Sequence, residues 1–136
     1  KPIISFTATG GDLYVAACTD TTAVATCSMQ TTLIDSSLGG SFLPDERRGT
    51  QIAVGTDGIP VIVKHDFASP FALSLIECGN AQCSSGNTRV PIDGLDGTTE
   101  DPAASLAIRE SDNARIISYV SDSAAGTLTI AVLEGP

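Results

Sequence analysis

Tryptophan is absent from this 136-residue sequence, and aromatic residues make up only 4% of it. A core without aromatic bulk must be built from Ile, Val, Leu and Ala, and hydrophobic residues reach 42%. The shortage also removes the aromatic surfaces on which sugar rings commonly stack. This hydrophobic content, with 17% charged residues, is typical of an ordered globular domain.

Basic residues are scarce. The 7 Lys and Arg residues face 16 Asp and Glu residues, which gives a net charge of −9. Such a chain repels nucleic acid and anionic lipid, and its largest basic cluster is the pair Arg47-Arg48. No apolar run approaches the roughly 18 residues of a membrane helix. We therefore expect neither nucleic-acid partners nor membrane insertion.

The sequence lacks an initiator methionine, and its first residues lack the long apolar segment of a signal peptide. From this we expect a mature or excised piece of a longer precursor.

Sustained helical periodicity is also missing, while Thr, Val, Ile, Ser, Gly and Asp dominate, as in short strands joined by tight turns. The sequence predicts an all-β fold. The expected turn at Asp57-Gly58 is a type I′ hairpin turn, and Asp112-Asn113 occupies the same place later in the chain. Ten strands are predicted, at residues 2–8, 13–17, 31–34, 50–54, 60–64, 73–77, 88–92, 105–108, 115–120 and 126–131.

These strands recur as a repeat. Similar apolar runs begin at Pro2, Pro60 and Arg115. The first two starting points are 58 residues apart, and the last two are 55 residues apart. The units cover about 1–48, 49–101 and 102–136. Four-stranded antiparallel meanders of this length predict β-propeller-like blades, about two and a half repeats in all, with a β-sandwich as the alternative. Incomplete end units leave open sheet edges, so we expect contacts with further copies or blades.

The repeat also selects a cysteine pairing. Cys18 and Cys78 each end the second-to-last strand of a unit, while Cys27 and Cys83 each precede the last strand. We therefore predict disulfides that join Cys18 to Cys27 and Cys78 to Cys83. Such bonds favour an oxidising compartment, extracellular or periplasmic. The spacings do not suit a zinc site.

Candidate chemistry is sparse. His65 beside Asp66 has the form of a general base oriented by a carboxylate, but its place at the end of a strand favours a structural role. No nucleophile or cofactor-binding motif occurs, so we expect no cofactor and no catalysis.

The loop 93–101 concentrates carboxylates and is a weak candidate for calcium, although the alternation of an EF-hand loop is missing. The residues concerned are Asp93, Asp96, Glu100 and Asp101. A solvated loop is the favoured interpretation, so no metal site is expected.

Two strings in the middle unit, residues 52–62 (IAVGTDGIPVI) and 78–88 (CGNAQCSSGNT), resemble a repeat of secreted or surface-exposed bacterial proteins with a β-propeller-like fold. The first unit keeps the cysteines but loses the Gly-Asn pair, and the third loses both cysteines. The resemblance implies a scaffold and an extracellular location, and it supplies no catalytic residues.

These observations together predict a non-catalytic extracellular binding or structural module that contacts protein or glycan through its repeat edges and loops. Two alternatives remain open. One is a fragment of a propeller-type hydrolase or lyase with its acid and base on loops 36–48 or 93–101. The other is a subunit of an extracellular filament, because head-to-tail contacts that do not close make fibres.

Overall fold

The computed structural model describes residues 2–8, 11–19, 27–36, 50–66, 72–94, 104–122 and 127–135. These residues form ten β-strands and no helix, which confirms the all-β class, and none of them belongs to a helix able to cross a membrane. In chain order the strands are β1 (Ile3–Thr7), β2 (Leu13–Cys18), β3 (Met29–Asp35), β4 (Gln51–Val54), β5 (Pro60–Asp66), β6 (Ala72–Glu77), β7 (Thr88–Gly94), β8 (Ala104–Arg109), β9 (Ala114–Asp122) and β10 (Thr127–Leu133).

The strands form three antiparallel sheets, each made of consecutive strands. The first sheet has the order β1-β2-β3, the middle sheet β4-β5-β6-β7, and the third sheet β8-β9-β10. Consecutive order is expected for meanders, because short turns join antiparallel neighbours. Each sheet lies within one of the units predicted from the sequence repeat.

The turn between β4 and β5 corrects one prediction. A type I′ turn needs positive φ at both central residues, but of Asp57 and Gly58 only Gly58 has it, with φ 78°. Instead, Gly58 N donates to Gly55 O at 3.0 Å and Gly55 N donates to Ile59 O at 2.9 Å. Five residues separate the last strand pair, Val54 and Pro60, and this length accommodates a hydrogen-bonded turn followed by one left-handed residue. Asn113, with φ 59°, has the same left-handed conformation between β8 and β9.

The middle sheet is covered on both faces. One face packs Val61, Val63, Leu73 and Leu75 against Ile117 and other residues of the third sheet. The opposite face packs Ile62 and Ile76 against Leu13 and Val15 of the first sheet. Because side chains alternate along a strand, an apolar run such as that at the start of β5 supplies both interfaces at once.

Each interface between sheets also contains a buried ion pair. Lys64 on β5 is 3% exposed, and its Nζ lies 2.8 Å from Asp35 Oδ2 at the end of β3. Buried Arg115 on β9 reaches Glu77 Oε1 on β6 at 2.9 Å. In both pairs the cation comes from the later sheet and the carboxylate from the earlier one. Since the two cations are almost completely removed from water, these pairs constrain how the sheets align.

Polar contacts between turns add to this alignment. Thr56 N donates to Asn113 Oδ1 at 3.0 Å, which links the turn before β5 to the turn before β9. Between the first and middle sheets, the hydroxyls of Ser5 and Thr50 lie 2.6 Å apart. The turns before β5 and β9 therefore lie at the same end of the stacked middle and third sheets.

Candidate interaction faces

The candidate residues for chemistry do not form a described site. His65 is half-buried on β5 and pairs in register with Leu73 on β6, while the side chain of Asp66 lies outside the described residues. Of the calcium candidates, only the backbone of Asp93 is described, at the end of β7; Asp96, Glu100 and Asp101 lie outside. Most residues of loop 36–48 are also outside the part of the chain that the structure describes. Among the residues that the structure does describe, no three His, Cys, Asp or Glu side chains come together to hold a metal ion.

Two disulfides join Cys18 to Cys27 and Cys78 to Cys83, the same pairs that the repeat comparison selects. Their Cα atoms lie 5.6 Å and 4.7 Å apart, as disulfide geometry requires. Each bond closes the connection between the last two strands of its sheet. Cys78 and Cys83 are also buried in the cluster between the first and middle sheets, so this disulfide is part of the core.

The loop that carries Cys78 and Cys83 is held by asparagine side chains. Asn80 Oδ1 accepts hydrogen bonds from the backbone N of Gln82 and of Ser84, each at 3.1 Å. Asn87 Oδ1 accepts from Gly79 N at 3.1 Å, and Asn87 Nδ2 donates to the carbonyl of Cys83 at 2.9 Å. A Cβ at Gly79 would overlap the carbonyl oxygen of Ser85. The polar residues of this motif therefore serve the loop itself.

Removing the Cys78–Cys83 disulfide is expected to destabilise the chain by about 2–4 kcal/mol, through loop entropy and lost packing. The variant is Cys78→Ala with Cys83→Ala, measured by urea unfolding. Cys18→Ala with Cys27→Ala is the matched control; its closed loop is longer, but Cys27 is only half-buried. We expect the control to lose less stability, and an equal or larger loss would contradict the packing contribution.

One exposed ion pair accompanies the turn before β9. Arg109 Nε donates to Asp112 Oδ1 at 2.8 Å, and this hydrogen bond lowers the pKa of Asp112 to about 2. Asp112 Oδ1 also accepts a hydrogen bond from Ala114 N at 3.3 Å, as turn aspartates commonly do. The shifted pKa therefore has a structural cause, and the group lies in no described cleft.

A cleft of about 210 Å³ lies between the first and middle sheets, near the disulfides. It is smaller than the about 300–1,000 Å³ of ordinary small-molecule pockets. Its lining is Pro2, Ile3, Ala17, Cys18, Val54, Gly58, Pro60, Ala81 and Gln82, which offers no charged group. We therefore do not assign a ligand to it.

The outer face of the first sheet, called here the leading face, carries exposed apolar side chains. Residues Ile3, Leu13, Val15 and Ile34 pack inward against the middle sheet, so their neighbours along each strand point outward. The rings of Phe6 and Tyr14 stack there with centroids 5.6 Å apart. The leading face consists of Ile4, Phe6, Tyr14, Met29 and Leu33.

The outer face of the third sheet, called here the trailing face, is also apolar. Alternate residues of β10, namely Ala131 and Leu133, pack inward against the middle sheet. The residues between them are among the most exposed large hydrophobic side chains of the described chain. The trailing face consists of Ile116, Val120, Leu128, Ile130 and Val132.

The leading face can be compared with equivalent repeat positions in the other two sheets. Ile4, Ile62 and Ile117 occupy the same repeat position, with Pro2, Pro60 and Arg115 aligned. Ile62 faces the first sheet and Ile117 faces the middle sheet, and both are 0% exposed. Ile4 points the same way in its own unit but is 52% exposed. The leading face is therefore a sheet-packing face on which no sheet of the described residues packs.

The trailing face shows the converse relation. Strand register makes Val15, Leu75 and Ile130 equivalent, because they pair with the equivalent residues Ser5, Val63 and Ser118. Val15 and Leu75 are 0% exposed under the following sheet, whereas Ile130 is 63% exposed.

A second position repeats this relation. Leu13 and Leu73 are 0% exposed, while their equivalent Leu128 is 67% exposed. The trailing face thus has the residue types that, in the first and middle sheets, pack against the next sheet.

Both faces suit an apolar partner. None of the ten residues that define them is charged. Contiguous exposed apolar surface of this kind marks interaction sites, because its burial is favourable. The sequence alone predicted contacts at edges and loops, and the faces were missed because exposure depends on how many sheets stack.

Comparisons of the chain with models of protein families, with curated proteins and with solved structures gave no match. The two faces are therefore interpreted from their own residues.

Proposed function

We propose that this chain is a non-catalytic extracellular module of stacked β-repeats, which serves as a binding or structural element by packing its outer sheet faces on other protein. One observation carries the proposal: positions that are fully buried between sheets recur, exposed, on the leading and trailing faces. The two disulfides support an oxidising, extracellular location.

The stacking supports a propeller-like arrangement of the units. In a two-layer sandwich each sheet is covered on one face, whereas here the middle sheet is covered on both. In a propeller, each blade is a meander packed face to face between neighbours. The middle sheet meets both conditions, and the resemblance to secreted repeat proteins agrees with them.

The chemistry of the faces favours protein over glycan as the partner. Eight of the ten face residues are aliphatic or Met, and the two rings, Phe6 and Tyr14, stack on each other. Sugar recognition needs directed hydrogen-bonding groups, and these faces present few. An apolar β-sheet surface matches them better.

The proposal predicts a folded protein with accessible apolar faces and no turnover. A dilute solution of the native chain is expected to bind the dye 1-anilinonaphthalene-8-sulfonate, because the dye's fluorescence rises on apolar surface. The double variant Ile4→Glu with Ile130→Glu should lose most of this signal. Incubation with polysaccharides and esters should give no product above a heat-unfolded control.

A matched control separates the faces from added charge in general. Gln30→Glu with Gln51→Glu adds the same two charges at exposed positions on β3 and β4 and should keep the dye signal. An unchanged signal in the face variant would contradict the proposal. Reproducible turnover that is lost in Asp45→Asn or Asp101→Asn would replace it with the propeller-type hydrolase or lyase.

A further inference from the structure

We infer that the trailing face of one copy of this chain packs on the leading face of a second copy, head to tail. The inference rests on the proposed function and names the partner of the faces. It would continue, between chains, the sheet-on-sheet contact that the chain already makes twice.

Those two contacts share one set of repeat positions. Between the first and middle sheets, Leu13 and Val15 pack in one cluster with Ile62. Between the middle and third sheets, the equivalents Leu73 and Leu75 pack in one cluster with Ile117 and Tyr119. At each interface, two large aliphatic residues on the second-to-last strand of the earlier sheet thus meet an isoleucine of the later sheet.

The outer faces present the two halves of this same contact. Leu128 and Ile130 of the trailing face are the equivalents of Leu73 and Leu75. Ile4 and Phe6 of the leading face are the equivalents of Ile117 and Tyr119, with an aromatic ring again following the isoleucine by two residues. The leading and trailing faces of every copy therefore present, exposed, the two halves of the contact that Leu73 and Leu75 make with Ile117 and Tyr119.

A second copy fits better than a pairing of like faces. Packing two leading faces together would join positions that never meet inside the chain. Packing the trailing face on the leading face joins positions that meet at both existing interfaces. Such a contact is heterologous, so it continues from copy to copy until a ring closes or a fibre forms.

Electrostatics set the conditions of the association. Each copy has a net charge of −9, so two copies repel each other at low salt. The faces themselves have no charged defining residue, and burial of apolar surface does not weaken as salt screens the repulsion. Association should therefore strengthen as ionic strength rises, unlike a contact held by ion pairs.

The test is sedimentation equilibrium of the full chain and of two single variants, Ile4→Glu on the leading face and Ile130→Glu on the trailing face. The wild-type average mass should rise with concentration and with salt above the 13.9 kDa of one chain. Each variant alone should remain at one chain, because one half of the contact is blocked. An equimolar mixture should reach two chains and stop, because one intact leading face meets one intact trailing face.

Gln51→Glu, at an exposed position on β4, is the control for charge and should behave as wild type. If either variant fails to give a wild-type circular dichroism spectrum, Leu33→Glu or Leu128→Glu takes its place on the same face. A wild-type chain that stays at one-chain mass would overturn the second copy as occupant, while dye binding and absent turnover would still support the proposed function. A single variant that dimerises alone, or a mixture that does not associate, would overturn the head-to-tail geometry.

Discussion

Replacing Asp35 with alanine is expected to lower the free energy of unfolding by about 2–4 kcal/mol. The change removes the carboxylate 2.8 Å from the Lys64 ammonium, which is 3% exposed and cannot regain its water without moving the first sheet off the middle one. This range is lower than the roughly 3–5 kcal/mol of a fully buried pair, although the two overlap, because the side chain of Asp35 is 22% exposed. Urea unfolding followed by circular dichroism measures it.

A double variant separates the electrostatic cost of removing this carboxylate from lost packing. Lys64→Met removes the cation, and in combination with Asp35→Leu it places two apolar side chains in the same space. Since buried ion pairs often contribute little over apolar replacements, the double variant should recover to within about 1 kcal/mol of wild type. Lys64→Met alone should cost less than Asp35→Ala, because Asp35 is partly exposed and Arg89 Nη1 lies 3.8 Å from it. If the double variant were as unstable as Asp35→Ala, the cost would lie in packing.

The strands and the disulfides could be predicted because their signals are local or repeated. Gly and Asp at the turns, with Val, Ile and Thr between them, mark each strand within a few residues of its observed ends. The cysteine pairing followed from two copies of the same connection between strands. It required no knowledge of contacts between residues that are distant in sequence. The left-handed residues Gly58 and Asn113 could be anticipated as turn formers, while the turn type depended on loop length.

Contacts between sheets could not be predicted in this way. Lys64 follows three apolar residues, and nothing near it in sequence shows that it is buried. Its partner Asp35 lies 29 residues earlier, on another sheet. Arg115 and Glu77 are likewise joined only when the third sheet packs on the middle one. Ion pairs of this kind follow from the stacking order, which a strand pattern does not contain.

The candidate faces fall between these two cases. The apolar alternation of β10 is visible in the sequence, and it predicts one face toward a core and one face toward solvent. In Leu128, Ile130 and Val132 the solvent face is itself apolar, so alternation alone does not say which side is packed. Only the exposure of equivalent positions in three units shows that the same residue type is buried twice and exposed once.

At each of two repeat positions, truncating the buried member and truncating the exposed member are expected to give very different costs. Ile62→Ala and Leu75→Ala should each destabilise the chain by about 2–5 kcal/mol, because both side chains are 0% exposed and leave cavities between sheets. The two residues face opposite interfaces, so each variant tests one of them. Either loss is a large part of the about 5–15 kcal/mol that stabilises a typical domain.

The equivalents on the outer faces provide the controls. Ile4→Ala and Ile130→Ala truncate the same positions as Ile62 and Leu75, but at 52% and 63% exposure. In dilute protein each should cost less than about 1 kcal/mol, since little packing is lost. At concentrations where copies stack, the same variants should become more destabilising relative to wild type, because only wild type gains stability from association. Equal costs at all four positions in dilute protein would show that the outer faces are already covered, and the two faces would then have no role in binding.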